Sequence, residues 1–336
     1  MPVTGSSIFS EVKHYLKFSR ELQAHLTKHP DDWYKFQDRF NLTLDKVYND
    51  ILQFEKENTY DESKVYKMKR IFEKRYRHYF LYGDFIRWSY EKPFGYAGDF
   101  KIIDDIYQNH SSTTGFTRLW DNYFQQLNVS KAVRERKEDI KKMIITFLED
   151  QGNQKNHNIR IMNLASGSAR EIKELLEADS KELFAEVVFD CYDFDSRAIN
   201  YAKELLNNDS NVNFFQKNAI RLALKKNIRE EIVKNYDLIY SNGLFDYLDE
   251  GIATRLISNL KKLLKRNGII VISNVRDKYS SPSAGWMEWV AEWYLIYRTE
   301  DELKNIFKAA GFSHNDLQII IQHSKTMQYC FAREVS

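Results

Sequence analysis

Near residue 150 the spacing of apolar residues changes, and that change constrains the fold more than any other feature of the chain. Before it, Ile8, Val12, Tyr15, Leu22 and Leu26 recur at helical spacing, as do Trp33, Phe36, Phe40, Val47, Ile51 and Phe54, with Pro30 between the two segments. Asp61 opens a third helix with Val65, Met68, Ile71 and Phe72 on one face. It stops near Gly83, and Pro93 marks an irregular stretch, KPFGYAGDF. Two or three further helices follow, the last from Ser130 to Asp150, and the polar stretch Gln151–Asn158 reads as a linker. Beyond it, short apolar runs alternate with helical stripes. Strands are expected over Ile159–Leu164, Val187–Tyr192, Val212–Phe215, Leu238–Tyr240 and Ile269–Ile272. Helices are expected over Glu171–Glu177, along Ala198–Leu206 and over Ile252–Leu264. Such alternation predicts a parallel sheet covered by helices on both faces. The expected architecture is an all-α domain over 1–150 followed by a doubly wound α/β domain over 151–336.

Composition supports long helices. Only 12 glycines and 4 prolines punctuate 336 residues, too few for a sandwich or barrel with many turns. Lys+Arg 50 against Asp+Glu 48 leaves a net charge of +2, which argues against a strongly basic nucleic-acid binder. No stretch approaches the roughly 18 apolar residues of a membrane span. The first residues, MPVTGSSIFSEVKHYLKF, lack the apolar run of a secretory signal. A cytoplasmic protein without membrane insertion is therefore expected. Cys191 and Cys330 make no disulfide framework, and the eight histidines show no metal-ligand spacing, so no metal is expected.

Doubly wound domains bind ligands at the C-terminal ends of their strands. The first strand runs into Asn163-Leu164-Ala165-Ser166-Gly167-Ser168-Ala169-Arg170, where small residues at 165, 167 and 169 permit a tight turn beside a helix N-terminus. The next strand ends in Asp193-Phe194-Asp195, which places Asp193 where an acid would grip a ribose, or where it would cap the next helix. A dinucleotide fingerprint would need glycine at 165, 167 and 170; the chain has Ala, Gly and Arg. S-adenosylmethionine has no pyrophosphate and tolerates this looser loop.

These residues carry a resemblance. The region from Ile159 to about Val275 resembles the class I S-adenosylmethionine-dependent methyltransferases. More narrowly, the chain resembles the family of the bacterial 3-hydroxypalmitic acid methyl ester synthase, a quorum-signal methyltransferase. The resemblance rests on KPFGYAGDF (92–100), Asn163–Glu171, YDLIYSNGLFDYL (236–248) and WYLIYRT (293–299). It implies a Rossmann-like methyltransferase domain with S-adenosylmethionine as cofactor. By position, Ala165, Gly167 and Ala169 would line the methionine part of the cofactor, and Asp193 would accept from the ribose hydroxyls. Asn218 and Ala219 would meet the adenine, and Ser241, Asn242 and Gly243 would flank the methyl group. Asn163, often acidic in such enzymes, and Ala165, often glycine, depart from the commonest pattern.

On the acceptor side, Tyr96 and Asp99 lie in a loop bounded by Gly95 and Gly98, which reads as a lid or as a tight turn with Asp99 capping the next helix. Asp246 and Tyr247 follow the fourth strand; Asp246 would orient a substrate group or cap a local turn. Arg298 would clamp a substrate carboxylate or pair with Glu300 or Asp301. Arg170 would hold a loop or meet the cofactor's carboxylate. Trp286, Trp289 and Trp293 recur at spacings of three and four, as core or as a wall for an acyl chain. Residues 72–124 hold 16 of the aromatic residues in 53 positions, either interface filling or shelter for a sulfonium.

Three functions stay open at this point. The first is methyl transfer to a small molecule, a carboxylated or acyl-type metabolite. In the second, a nucleophile attacks another carbon of the sulfonium and releases methylthioadenosine. The third is a non-catalytic module that senses the cofactor or binds a partner. A carboxylate acceptor is already ionised at neutral pH, so the first needs no general base. Nucleic-acid methylation is disfavoured because the fourth strand ends in Ser-Asn-Gly-Leu rather than Asn/Asp-Pro-Pro-aromatic.

Overall fold

The computed structural model describes residues 5–151, 158–178, 181–279 and 284–334. It divides into two compact units, residues 1–131 with 281–294, and residues 132–280 with 295–336. The linker expected at 151–158 lies outside the described residues from 152 to 157.

The first unit is helical. Helices Gly5–Lys28, Gln37–Glu57, Glu62–Arg75, Asp84–Glu91, Phe100–Gln108 and Gly115–Gln126 are joined by a short helix from far along the chain, Ala284–Trp289. Its core is aromatic. Tyr15 stacks on Phe80 at 4.8 Å between ring centroids, and Trp120 meets Phe40 edge-on at 5.6 Å. The indole N–H of Trp286 donates to Tyr123 Oη at 2.9 Å, and that hydroxyl donates to Asp45. The Trp289 indole donates to Glu55, whose carboxylate pairs with Lys69 at 3.0 Å. The buried indole N–H groups of Trp286 and Trp289 and the Tyr123 hydroxyl thus have partners, as their desolvation demands. Trp286, Trp289 and Trp293 are all buried in this unit, so the stripe is core packing.

The second unit is a seven-stranded sheet with helices packed on it. Strands β1 (Ile159–Leu164), β2 (Val187–Asp193), β3 (Val212–Gln216), β4 (Tyr236–Ser241), β5 (Leu264–Val275), β6 (Leu317–Ile321) and β7 (Met327–Arg333) lie in the order β3-β2-β1-β4-β5-β7-β6. The first five pair in parallel; β7 runs antiparallel to both β5 and β6. The five strands read from the sequence form the expected parallel sheet, and the β6–β7 hairpin adds an antiparallel edge that was not read. Its sequence, LQIIIQHSKTMQYCFAR, lacks the Gly or Pro punctuation that announces a turn.

The reversal of strand order between β1 and β4 opens a crevice at their C-terminal ends. Two apolar clusters join the sheet to its helices. One gathers Leu222, Ile239, Leu256, Ile270 and Phe307; the other gathers Ile140, Ile144, Phe147, Ile161, Ile172, Phe189 and Val271. Ile140, Ile144 and Phe147 come from the helix Asn128–Gln151, which was expected to close the N-terminal domain. Its apolar stripe packs on the sheet instead. Most of that helix therefore belongs to the second unit, and the boundary falls at 131/132 rather than at 150.

Candidate cofactor and acceptor site

The turn after β1 is built from backbone. Ala165, Gly167 and Ala169 all take the left-handed conformation, with φ of 58°, 55° and 51°. For the two alanines this costs about 1–2 kcal/mol each, because their Cβ crowds the carbonyl. The bonds that impose it are visible. Ser166 N–H donates to Tyr192 O of β2 at 3.1 Å, and Ala169 N–H closes back on Ser166 O at 3.0 Å. The helix Arg170–Glu177 starts directly after.

Asp193, at the end of β2, locks that turn from the other side. Its Oδ2 accepts from Gly167 N–H at 2.9 Å and its Oδ1 from Asp195 N–H at 2.9 Å. Burial pushes its carboxyl above the usual range, and these N–H donors pull it back down. A carboxylate has about four acceptor sites, so Asp193 keeps capacity for hydroxyl donors. The capping role falls to Asp195, which accepts from Arg197 N–H.

Next to Asp193, the ring of Phe194 is 47% exposed. It lines a cavity of about 530 Å³ together with Gln216, Lys217, Asn218 and Arg221. Asn218, which lines that cavity, caps the helix Ala219–Leu224 by accepting from Arg221 N–H. Phe194 was passed over in the sequence because a single aromatic after an acid has no periodic signature. Its exposure beside a cavity is what singles it out.

Asn163 does not point an acid at the crevice; it supports one. Its amide donates to Glu171 Oε1 at 2.9 Å, and Tyr240 Oη donates to the same oxygen at 3.0 Å. Glu171 is buried, and its carboxyl is pushed up by desolvation.

The end of β4 is built from side chains. Ser241 Oγ donates to Leu164 O at 2.7 Å, tying β4 to β1, and Gly243 N–H donates to Ser273 Oγ at 3.0 Å. Asn242 Oδ1 is enclosed and accepts no hydrogen bond. Gly243 has φ +84°, and a Cβ there would stand 2.7 Å from Arg136 Nη1. Asp246 is buried; its Oδ1 accepts from Val275 N–H at 2.7 Å and from Asn274 at 2.9 Å, and desolvation pushes its carboxyl up to about 6. Tyr247 beside it is 41% exposed.

Arg298 does not present a fork to a ligand. Its guanidinium donates to Phe245 O at 2.7 Å, to Asn274 Oδ1 at 2.5 Å and to Leu248 O. It braces the loop that carries Asp246 and Tyr247, and it pairs with neither Glu300 nor Asp301. Arg136 was missed entirely. In the sequence it sits within AVRERKEDIKK, which reads as a solvated charged face. In the structure it is buried against Gly243, with Nη1 3.9 Å from Asp246 Oδ2.

Two candidates lie in the first unit. Asp99 is the N-cap of Phe100–Gln108: its Oδ1 accepts from Lys101 and Ile102 N–H and its Oδ2 from the Trp88 indole. Those bonds and its burial give it the helix-capping role. Tyr96 is half-buried on the turn between Gly95 and Gly98, both at positive φ. Among the described residues no group of three or more His, Cys, Asp or Glu could hold a metal ion.

Residues 155–311 match the family model of a methyltransferase domain. Such domains use S-adenosylmethionine. Among solved structures, a possible exported protein of Bordetella parapertussis is similar at 18% identity, with a TM-score of 0.54 over 71% of this chain and 80% of that one. Magnesium protoporphyrin IX methyltransferase of Synechocystis, with bound S-adenosylmethionine, is similar at 14% identity, with a TM-score of 0.42 over 61% and 83%. No curated protein matches the chain. No described helix is long and apolar enough to cross a membrane.

Proposed function

We propose that the chain transfers the methyl group of S-adenosylmethionine to a small-molecule acceptor, a carboxylated or acyl-type metabolite. The observation that carries the cofactor half of this reading is the Gly167–Asp193 hydrogen bond, which sets an acid and a left-handed turn side by side at the switch point of the sheet. The residues present fit the cofactor. Asp193 keeps acceptor capacity for ribose hydroxyls, Phe194 offers an aromatic face to the adenine, and Asn218 edges the cavity that Phe194 lines. The enclosed, unpartnered Oδ1 of Asn242 supplies an acceptor for an ammonium or an O–H group.

When bound, the cofactor supplies an electrophilic methyl carbon on a sulfonium. The work of the protein is then placement and exclusion of water, for which effective molarities of about 10⁵ M or more are available. Ser241 and Ser273 fix the β4 end by their hydrogen bonds to Leu164 O and from Gly243 N–H. Arg298 fixes the Asp246–Tyr247 loop. Tyr247, half-exposed beside Asp246, is placed to orient a substrate hydroxyl. The acceptor class rests on the resemblance of KPFGYAGDF and YDLIYSNGLFDYL to the hydroxyacyl methyl ester synthase family, and on the absence of any need for a base with a carboxylate nucleophile.

Calorimetric titration with S-adenosylmethionine and S-adenosylhomocysteine tests the cofactor. Binding by the wild type that weakens at least tenfold in Asp193→Asn supports the reading; no binding of either ligand defeats it. Product analysis tests the chemistry. S-adenosylhomocysteine from incubation with acyl acids supports methyl transfer, and methylthioadenosine would replace it with attack at another carbon.

A further inference from the structure

The cavity beside Phe194 carries a charge that the proposed function does not use. Lys217, Arg221 and Lys225 line it at intervals of four residues, and Glu231 is the one acid on its wall among the described residues. The helix Ala219–Leu224 carries Arg221, and Lys225 is its C-cap, so these two cations share a face. Glu231 reaches the wall from the segment that follows Ile228–Glu230. Its Oε2 accepts from Lys217 Nζ at 2.6 Å, and its Oε1 lies 2.6 Å from Lys225 Nζ. Each carboxylate oxygen thus holds one ammonium. An ammonium has three donors, so both lysines keep N–H groups to spare. Arg221 is exposed and makes no ion pair among the described residues. Three cations against one acid leave this wall at +2, the net charge of all 336 residues together. Like charges gathered on one concave surface repel one another and draw an anion to it.

We propose that this wall binds a phosphate-type anion, with Lys217, Arg221 and Lys225 as its donors and Glu231 as the built-in competitor that the anion displaces. The cofactor reading uses only Phe194 and Asn218 of this lining and leaves the three cations without a task. The anion is a small molecule, because the cations line a cavity of about 530 Å³ rather than a flat face. Phosphate suits the donors. The arginine offers a planar fork and the lysines offer point charges, and hydrogen bonds to a charged acceptor are the stronger kind. The phosphate group can come from two sources: a free inorganic anion, or a nucleotide whose base lies on the exposed ring of Phe194. A nucleotide would compete with the cofactor for that ring.

Calorimetric titration with inorganic pyrophosphate, ADP and adenosine tests this, in wild type, Arg221→Met, Lys225→Met and Glu231→Gln. Arg221 and Lys225 are exposed, so their loss spares the core, and thermal unfolding checks that each variant is folded. Pyrophosphate should bind the wild type, more weakly as sodium chloride is added. Its affinity should fall about tenfold in Arg221→Met and in Lys225→Met. It should rise about threefold in Glu231→Gln, which frees both lysines, a gain that loss of a merely structural ion pair would not give. ADP binding about tenfold tighter than both pyrophosphate and adenosine assigns the phosphate to a nucleotide; equal affinity for ADP and pyrophosphate assigns it to the free anion. Three results overturn the proposal: no binding of either phosphate compound, binding unchanged in the arginine and lysine variants, or weaker binding in folded Glu231→Gln. S-adenosylhomocysteine, titrated separately, keeps the two readings apart. Its binding without pyrophosphate binding defeats the anion site alone, and the reverse result defeats the cofactor reading alone.

Discussion

Asp193, which ends β2, and Asp246, which follows β4, are both buried aspartates at parallel strands of one sheet, yet the chain uses them differently. Asp193 is surrounded by backbone: the N–H groups of Gly167 and Asp195 hold its two oxygens, and it in turn holds the β1 turn. Asp246 is surrounded largely by side chains gathered from remote positions, Arg136, Asn274 and, through Asn274, Arg298. A carboxylate held by backbone donors is set by local chain geometry and tolerates change around it. A carboxylate held by a buried network depends on every member, and each member depends on it.

The largest effect should come from breaking that network. Asp246→Ala leaves the Val275 N–H without its acceptor and Arg136 without its facing acid, so a stability loss of about 3 kcal/mol is expected in denaturant unfolding. A loss below about 1 kcal/mol would show that the network does not hold the loop. Asp193→Asn should do less to stability and more to binding. Its amide cannot accept at both positions, and S-adenosylhomocysteine affinity should fall at least tenfold, about 1.4 kcal/mol, in calorimetry. Equal loss of binding in Asp246→Asn would erase the division of roles.

The pH dependence of stability sharpens the same contrast. With its folded carboxyl raised to about 6, Asp246 binds its proton more tightly folded than unfolded. Its contribution is therefore fully present below the unfolded value near 4 and is lost as pH rises toward 6. Relative to wild type, Asp246→Asn should gain stability between pH 4 and pH 6.5, by about 1–3 kcal/mol in paired denaturant curves. A difference that stays flat across that window would remove the raised carboxyl from the account.

The smallest effect concerns the strained turn. Ala165→Gly should relieve the left-handed strain and raise stability by about 0.5–1 kcal/mol, while Ala169→Gly should be near neutral. The second alanine is buried in the core layer, and its lost methyl, about 0.8 kcal/mol, offsets the relief. Thermal unfolding of the two variants side by side checks this.

Much of the second unit was legible because its elements carry local signals. The five parallel strands lie within a few residues of their apolar runs, and the β1 turn is recognisable from small residues between a strand and a helix. Asp193 is legible for the same reason: its place follows from the end of a strand. The β6–β7 hairpin was not legible, since Leu317–Ile321 and Met327–Arg333 carry neither clean alternation nor a glycine turn, and their pairing with β5 is a long-range choice. Nor could the sequence separate the roles of Asp99 and Arg298. A cap and a lid acid look alike in one dimension, as do an arginine that clamps a substrate and one that braces carbonyls.

What the sequence determined by itself, then, is the order of helices and strands, the doubly wound class and the two strand ends at which a ligand would be held. These follow from hydrophobic period and turn chemistry, which act over a few residues. Tertiary structure alone decided that the helix Asn128–Gln151 packs on the sheet, that residues 281–294 return to the helical unit, and that Arg136 lies against Gly243 and faces Asp246 across more than a hundred residues of chain. The physical reason is that burial converts a charged residue on a helix face from a solvated group into one whose neighbours set its role, and those neighbours are chosen by the packing of distant segments.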